Sequence, residues 1–134
     1  MATEGLVTIA SKFGPEETLD RLKGEIAARG LTLFAAIDHA KGAQEAGLSL
    51  RPTAVLIFGN AKGGTPLMLA NQTIGLDLPL KALVWQDRAD QTWVSYNDPV
   101  WLARRYGLSP EAEKIAAALG SGLQTIAQKA AGSA

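Results

Sequence analysis

The sequence predicts an α+β domain: a single mixed β-sheet of about five strands, with helices packed on it and an antiparallel hairpin in its C-terminal half. Three observations support this fold class. Short strand-like runs alternate with helical patterns, and two such runs follow each other through a short polar link at residues 87–91. The chain has 134 residues with 47% hydrophobic content, enough for one core. We therefore predict one domain over residues 1–134.

The first third of the chain predicts two strands around a helix. Residues 6–10 alternate apolar and polar side chains, which is typical of a half-buried strand. A helix should begin at Pro15 and end at Gly30, with acidic residues in its first turn, where they suit the positive end of the helix dipole. Residues 31–37 form the second predicted strand.

The middle of the chain contains its most apolar strand. After a short alanine-rich segment that stops at Gly47, residues 54–58 read Ala-Val-Leu-Ile-Phe. An unbroken run of this kind is typical of an interior strand that is covered on both faces. The next helix should begin at Pro66, with Thr65 as its N-cap.

The last part of the chain predicts the hairpin and two helices. Residues 80–86 and 92–97 are the two hairpin strands, which should pair antiparallel. Asp98 and Ser109 are each followed by proline, a typical N-cap and first helical residue, so a helix should follow each of them.

The glycine-rich junction at residues 59–65 is the predicted ligand site. Glycines permit positive φ and a close approach of the backbone, and a helix N-terminus directs free N–H groups and a positive dipole at an anion. The Walker phosphate-binding pattern lacks its lysine here, because Lys62 lies inside the loop. A tight structural turn is the alternative interpretation. The predicted ligand-binding residues are Gly59, Asn60, Gly63, Gly64, Thr65 and Lys81.

Several short motifs resemble the domain of unknown function 302 family. They are Phe58-Gly59-Asn60, Gly64-Thr65-Pro66-Leu67-Met68 and Leu76-Asp77-Leu78-Pro79-Leu80-Lys81, supported by Ile37-Asp38-His39 and Tyr96-Asn97-Asp98-Pro99. The resemblance covers about residues 6–108 and leaves residues 109–130 as a C-terminal helical extension. Ala61 stands where the family pattern has proline. The resemblance implies a small bacterial or archaeal α+β domain, and the family brings no established activity with it.

The composition excludes several classes of function. Thirteen basic residues balance thirteen acidic ones, so no overall field attracts nucleic acid or an anionic membrane. There is no cysteine, and hence no disulfide, thiolate metal site or cysteine nucleophile. The N-terminus lacks the basic cluster and apolar core of a signal peptide, and no run approaches the length of a membrane span. We expect a cytoplasmic protein that binds neither nucleic acid nor membrane.

Asp38 and His39 are the candidate catalytic pair. His39 is the only histidine, and with Asp38 it should lie at a strand end, where it could transfer a proton or simply cap a helix. One histidine without cysteine predicts no transition metal, and no cofactor is expected. Three hypotheses remain: a binding or sensing module for a small anionic ligand, an oligomeric interaction domain without a ligand site, and an acid–base enzyme. A homodimer is predicted, because the hairpin should lie near a sheet edge that a second copy would cover.

Overall fold

The structure, a computed structural model, describes residues 3–133. Its five strands form one sheet in the order β1-β5-β4-β3-β2, and each neighbouring pair is antiparallel. The α+β class, the five strands and the hairpin are confirmed, whereas the expected mixed sheet is wrong. Helices between strands suggested parallel pairing, but the first and second strands, which run in the same direction, lie at opposite edges of the sheet and do not pair with each other. The strands are β1 (Leu6–Ala10), β2 (Thr32–Asp38), β3 (Thr53–Gly59), β4 (Leu80–Gln86) and β5 (Thr92–Asn97).

Five α-helices and one 3₁₀ helix accompany the sheet in the described part of the chain. The longest helix, α5, continues without interruption through Gly120 and Gly122. The helices are α1 (Pro15–Ala28), α2 (His39–Glu45), α3 (Ala61–Ala70), α4 (Pro99–Arg105) and α5 (Pro110–Ala131), and the 3₁₀ helix is Gln72–Asp77.

The main core lies between one face of the sheet and helices α1 and α5. Along β3 and β4 every second side chain enters this core, as the two-residue period of a strand requires. A second, smaller core joins α3, the 3₁₀ helix, α4 and the first half of α5. The largest fully buried side chains of the main core are Leu22, Ile26, Leu56, Phe58, Leu123 and Ile126.

The opposite face of the sheet, which we call the outer face, belongs to neither core. Leu56 and Phe58 of β3 are fully buried, but Val55 and Ile57, which alternate with them along the strand, are only half-buried. The prediction that both faces of this strand are covered is therefore wrong within residues 3–133. β3 is also second from the edge, so β4 is the central strand.

The hairpin of β4 and β5 occupies the interior of the sheet, and β1 and β2 are the two edges. In the sheet described for residues 3–133, the hairpin therefore exposes no edge that a second copy would cover. β1 pairs with β5 and β3 pairs with β4, which satisfies both outer sides of the hairpin.

Candidate functional site

The helix at the glycine-rich junction begins one turn earlier than predicted. Asn60, not Thr65, is the N-cap of α3, and its Oδ1 accepts a hydrogen bond from the Gly63 backbone N–H at 2.8 Å. Gly63 and Gly64 lie in the first turn of the helix, and Pro66 lies inside it. Thr-Pro is a good start signal in isolation, but asparagine caps at least as well as threonine and comes first in the chain. Ala61 is the first helical residue, where proline is also favoured.

Gly59 is the one residue of the junction that needs glycine for its backbone. Its φ is +149°, and a Cβ there would lie 3.8 Å from the Cβ of Pro79. Gly63 and Gly64 have no positive φ, so their role is spatial. A Cβ on Gly63 would lie 3.0 Å from Leu119 Cδ2, which shows how closely α3 approaches α5.

A cavity of about 220 Å³ lies between this junction, the segment before β4 and helix α5. Four of the six predicted ligand residues line it: Gly59, Asn60, Gly63 and Gly64. The remaining walls are mostly aliphatic and come from parts of the chain that are distant in sequence. They include Leu31, Leu78, Leu80, Leu119, Leu123 and Ile126.

Arg29 supplies the only basic side chain among the residues that line this cavity. It follows the last residue of α1, where cations suit the negative end of the helix dipole. Its Nη1 lies 3.4 Å from the position that a Cβ on Gly122 would occupy, so the guanidinium rests against α5. None of the three ion pairs among residues 3–133 involves Arg29. Its charge is therefore available to a ligand.

Sequence reasoning missed Arg29 for a physical reason. It is separated from the glycine-rich junction by a whole strand–helix–strand unit, and a basic residue at a helix end is ordinary. The small residues of α5 were the one sequence feature that could have indicated this wall of the cavity. Ala118 and Gly122 are four positions apart and therefore share one side of the helix, where they leave the space that the cavity occupies.

Thr65 and Lys81 do not line the cavity. Thr65 is exposed on the surface of α3. Leu80 lines the cavity, and because side chains alternate along a strand, Lys81 points to the outer face. Lys81 lies opposite Ile57 in the sheet, and its Nζ is 3.4 Å from the carbonyl oxygen of Pro79. Both assignments are corrected: the site keeps the first four predicted residues and gains Arg29.

Asp38 and His39 lie at the far end of the sheet. In the register of β2 and β3, Asp38 is opposite Ala54, whereas Thr32 is opposite Gly59. The five-residue offset between Ala54 and Gly59 corresponds to about 17 Å along the strand. Asp38 caps α2 by accepting a hydrogen bond from the Lys41 N–H at 2.9 Å, and His39 is exposed. Acid–base chemistry by this pair on a ligand at the junction is therefore contradicted.

The Asp77 carboxylate pairs with side chains of Arg105 and Tyr106. Its Oδ2 is 2.7 Å from Arg105 Nη1 and accepts a hydrogen bond from the hydroxyl of Tyr106, which raises the pKa of Tyr106 above its ordinary value. Within the described residues 3–133 no three histidine, aspartate or glutamate side chains lie close enough together to hold a metal ion.

The outer face carries a connected pair of tryptophans. Trp85 and Trp93 stack with ring centroids 6.1 Å apart. Trp85 Nε1 donates to Ser95 Oγ at 2.9 Å, and Trp93 Nε1 donates to Asp87 Oδ2 at 2.9 Å. The hydrogen bond from Trp93 is the main cause that lowers the pKa of Asp87, and the backbone N–H of Gln91 adds to it. Lys81 lies on the same face of the sheet as Trp85, which is the face without a core.

The family model described as "Domain of unknown function DUF302" matches residues 7–126. The chain belongs to this family. The match extends beyond residue 108, where the resemblance in the sequence was placed, and includes most of α5.

A solved structure has the same fold. It is titled "Crystal structure of uncharacterized conserved protein DUF302 from Bacillus stearothermophilus", and it aligns with a TM-score of 0.85 and 22% identity over 96% of this chain and 99% of that one. At this identity the likeness shows the fold alone.

Two curated relatives, from Brucella suis biovar 1 and Brucella abortus biovar 1, are named "Fluoride-specific ion channel FluC 1". Each is 43% identical to this chain over 128 residues, which is 96% of this chain and 50% or 47% of the relative. The chain thus spans about half the length of the curated relatives it matches. Among residues 3–133, no helix combines the length and the apolar character that crossing a membrane requires.

Proposed function

We propose that this DUF302 domain binds a small anionic molecule with an apolar body in the cavity beside Gly59, Asn60 and Arg29. The observation that carries the proposal is an aliphatic cavity with one unpaired guanidinium among its lining residues. Binding pockets are typically apolar with a few placed polar groups, and a guanidinium favours carboxylates or phosphates.

Size restricts the ligand. A volume of about 220 Å³ lies below the roughly 300–1,000 Å³ of typical small-molecule pockets. Nucleotides are larger than this. The volume and the walls fit a short aliphatic carboxylate, whose chain would contact the leucines while its head group pairs with Arg29.

The helix N-terminus contributes less than the sequence suggested. The Gly63 N–H donates to the side chain of Asn60, and the Gly64 N–H donates to the Asn60 carbonyl oxygen at 3.3 Å. These donors already have partners within the protein, so the attraction for an anion depends mainly on Arg29. The proposed anion-binding group is therefore the Arg29 guanidinium rather than the backbone N–H groups of the helix N-terminus.

A thermal-shift screen tests the proposal. Straight-chain carboxylates from butyrate to octanoate should stabilise the wild-type protein, by about 2.7 kcal/mol at about 100 times the dissociation constant. The matched alcohols, which lack the charge, should stabilise it much less. Gly64→Val should reduce the shift, because a Cβ there already lies 3.6 Å from Leu78 Cδ1 and the added methyl groups would enter the cavity wall. Equal shifts for acids and alcohols, or for both proteins, would contradict the proposal.

The alternative is an interaction domain without a ligand, and the exposed outer face favours it. The whole channel named in the Brucella relatives is about twice as long as the matched part, so fluoride transport does not enter the proposal. The cytoplasmic location and the homodimer stay predictions.

A further inference from the structure

The outer face of the sheet is unusually apolar for a surface in contact with water. Antiparallel sheets that face solvent on one side normally place polar residues there. Here each of the five strands places at least one large apolar side chain on this face. Among the strand residues within 3–133, Lys81 is the only cation on it. The apolar members are Leu6, Ile37, Val55, Ile57, Leu83, Trp85 and Trp93.

The apolar residues form cross-strand rows. Ile37 lies opposite Val55, which lies opposite Leu83, and Trp85 lies opposite Trp93. Leu6 and Ile37, on the two edge strands, remain 42% and 43% exposed. The patch therefore runs from β2 across β3 to β4 and the two tryptophans, whereas Leu6 is separated from it by the polar Ser95 and Asn97 of β5. Contiguous apolar surface of this kind marks interaction sites.

The sequence of β3 points in the same direction. Its unbroken apolar run is typical of a strand covered on both faces, whereas a single chain covers only one. From this mismatch we infer that the outer face is buried against the outer face of a second copy of this chain, as a sheet-on-sheet homodimer. The inference is independent of the ligand site, which lies on the other side of the sheet.

The projected area of the face corresponds to a small dimer interface, at the low end of the range for specific complexes. Five strands at a spacing of about 4.8 Å, each about 20 Å long, give a face of about 480 Å² in projection. Side chains that stand out from the sheet raise its accessible area, and Phe34, 54% exposed at the bulge of β2, borders it. A standard interface needs about 800 Å² per partner, roughly a tenth of the 7806 Å² surface of this chain.

Lys81 and Asp87 place opposite charges at the two ends of β4, with Arg51 Nη1 donating to the Asp87 carbonyl oxygen at 3.0 Å, and this arrangement favours a second copy of the chain as the partner. Lys81 lies near one end of β4, and Asp87, hydrogen-bonded to Trp93, follows its other end about 20 Å away. A two-fold axis in the plane of the interface and perpendicular to β4 would set β4 antiparallel to its copy. Lys81 of each chain would then lie opposite Asp87 of the other, with Leu83 and Trp85 near the axis.

Sedimentation equilibrium of the wild type and three lysine variants tests this interface. The wild type should have twice the monomer mass of 14.1 kDa at micromolar concentration. Ile57→Lys and Ile37→Lys should each raise the dissociation constant at least about 30-fold, because they bury an unpaired charge. Leu69→Lys is the matched control, since Leu69 is 83% exposed on α3, and it should remain dimeric.

Far-UV circular dichroism and thermal unfolding show whether each variant is folded. If Ile57→Lys does not fold, Ile37→Lys at the edge strand provides the same test. Lys81→Glu, which would place two carboxylates opposite each other, should weaken the dimer by about two- to tenfold and more at low salt. A monomeric wild type at 100 µM or more, or folded Ile57→Lys and Ile37→Lys proteins that both keep the wild-type affinity, would overturn the inference.

Discussion

Asn60→Ala and Thr65→Ala should change the free energy of unfolding in opposite directions. Asn60 caps α3 through one side-chain bond to the Gly63 N–H, and its removal should cost about 1 kcal/mol. Thr65 is an exposed residue inside the same helix, so Thr65→Ala should gain a few tenths of a kcal/mol, because alanine has the higher helix propensity. For a chain of 134 residues, a loss of 1 kcal/mol corresponds to a fall in Tm of about 3–5 °C.

Urea denaturation followed by circular dichroism measures both values. Asn60→Asp is the control, since aspartate caps a helix as well as asparagine does, and it should stay near wild type. If Thr65→Ala loses as much stability as Asn60→Ala, then the helix begins at Thr65 in solution and the geometry of the junction is wrong.

Two further predictions concern pH and packing. Trp93→Phe removes the hydrogen bond that chiefly lowers the pKa of Asp87. Because a depressed carboxyl pKa stabilises the fold above the unfolded value and loses this effect as pH falls through the folded value, the variant's stability should vary less with pH below about 4. NMR titration of the Asp87 carboxyl should show its pKa rising toward its ordinary value of 3.8, and an unchanged pKa would refute the assignment. Leu22→Ala, at a fully buried position of α1, should cost about 2–5 kcal/mol in urea denaturation, and a loss below about 1 kcal/mol would contradict the packing.

Local patterns predicted the elements of this fold well. Each strand has a run of strand-forming residues, and the two Asx/Ser-Pro signals at Asp98 and Ser109 both proved to be helix N-caps. The start of α3 was misplaced because two capping signals compete within six residues, and propensity alone does not decide between them. The antiparallel hairpin was predicted correctly, but the mixed sheet was wrong, because the pairing of strands that are distant in sequence depends on long-range packing rather than on local pattern.

Four of the predicted ligand residues line the cavity, whereas Arg29 was not predicted. Gly59 to Gly64 are contiguous in sequence, so a local motif could reveal them. Arg29 reaches the cavity only because α1 crosses the sheet between its two edge strands and ends beside α5. Lys81 was predicted in the ligand site because the alternation along the strand shows that Lys81 and Leu80 lie on opposite faces, but it does not show which face carries the helices.

Isothermal titration of hexanoate into the wild type, Arg29→Gln and Lys62→Gln tests the proposed ligand site most directly. Lys62 is exposed beside the junction but does not line the cavity, which makes it the matched control for charge. A hydrogen bond to a charged group contributes about 1.5–3 kcal/mol, so Arg29→Gln should weaken binding at least about tenfold. The account predicts saturable binding of one hexanoate per chain to the wild type and to Lys62→Gln. Equal binding by all three proteins, or no saturable binding by the wild type, would contradict it.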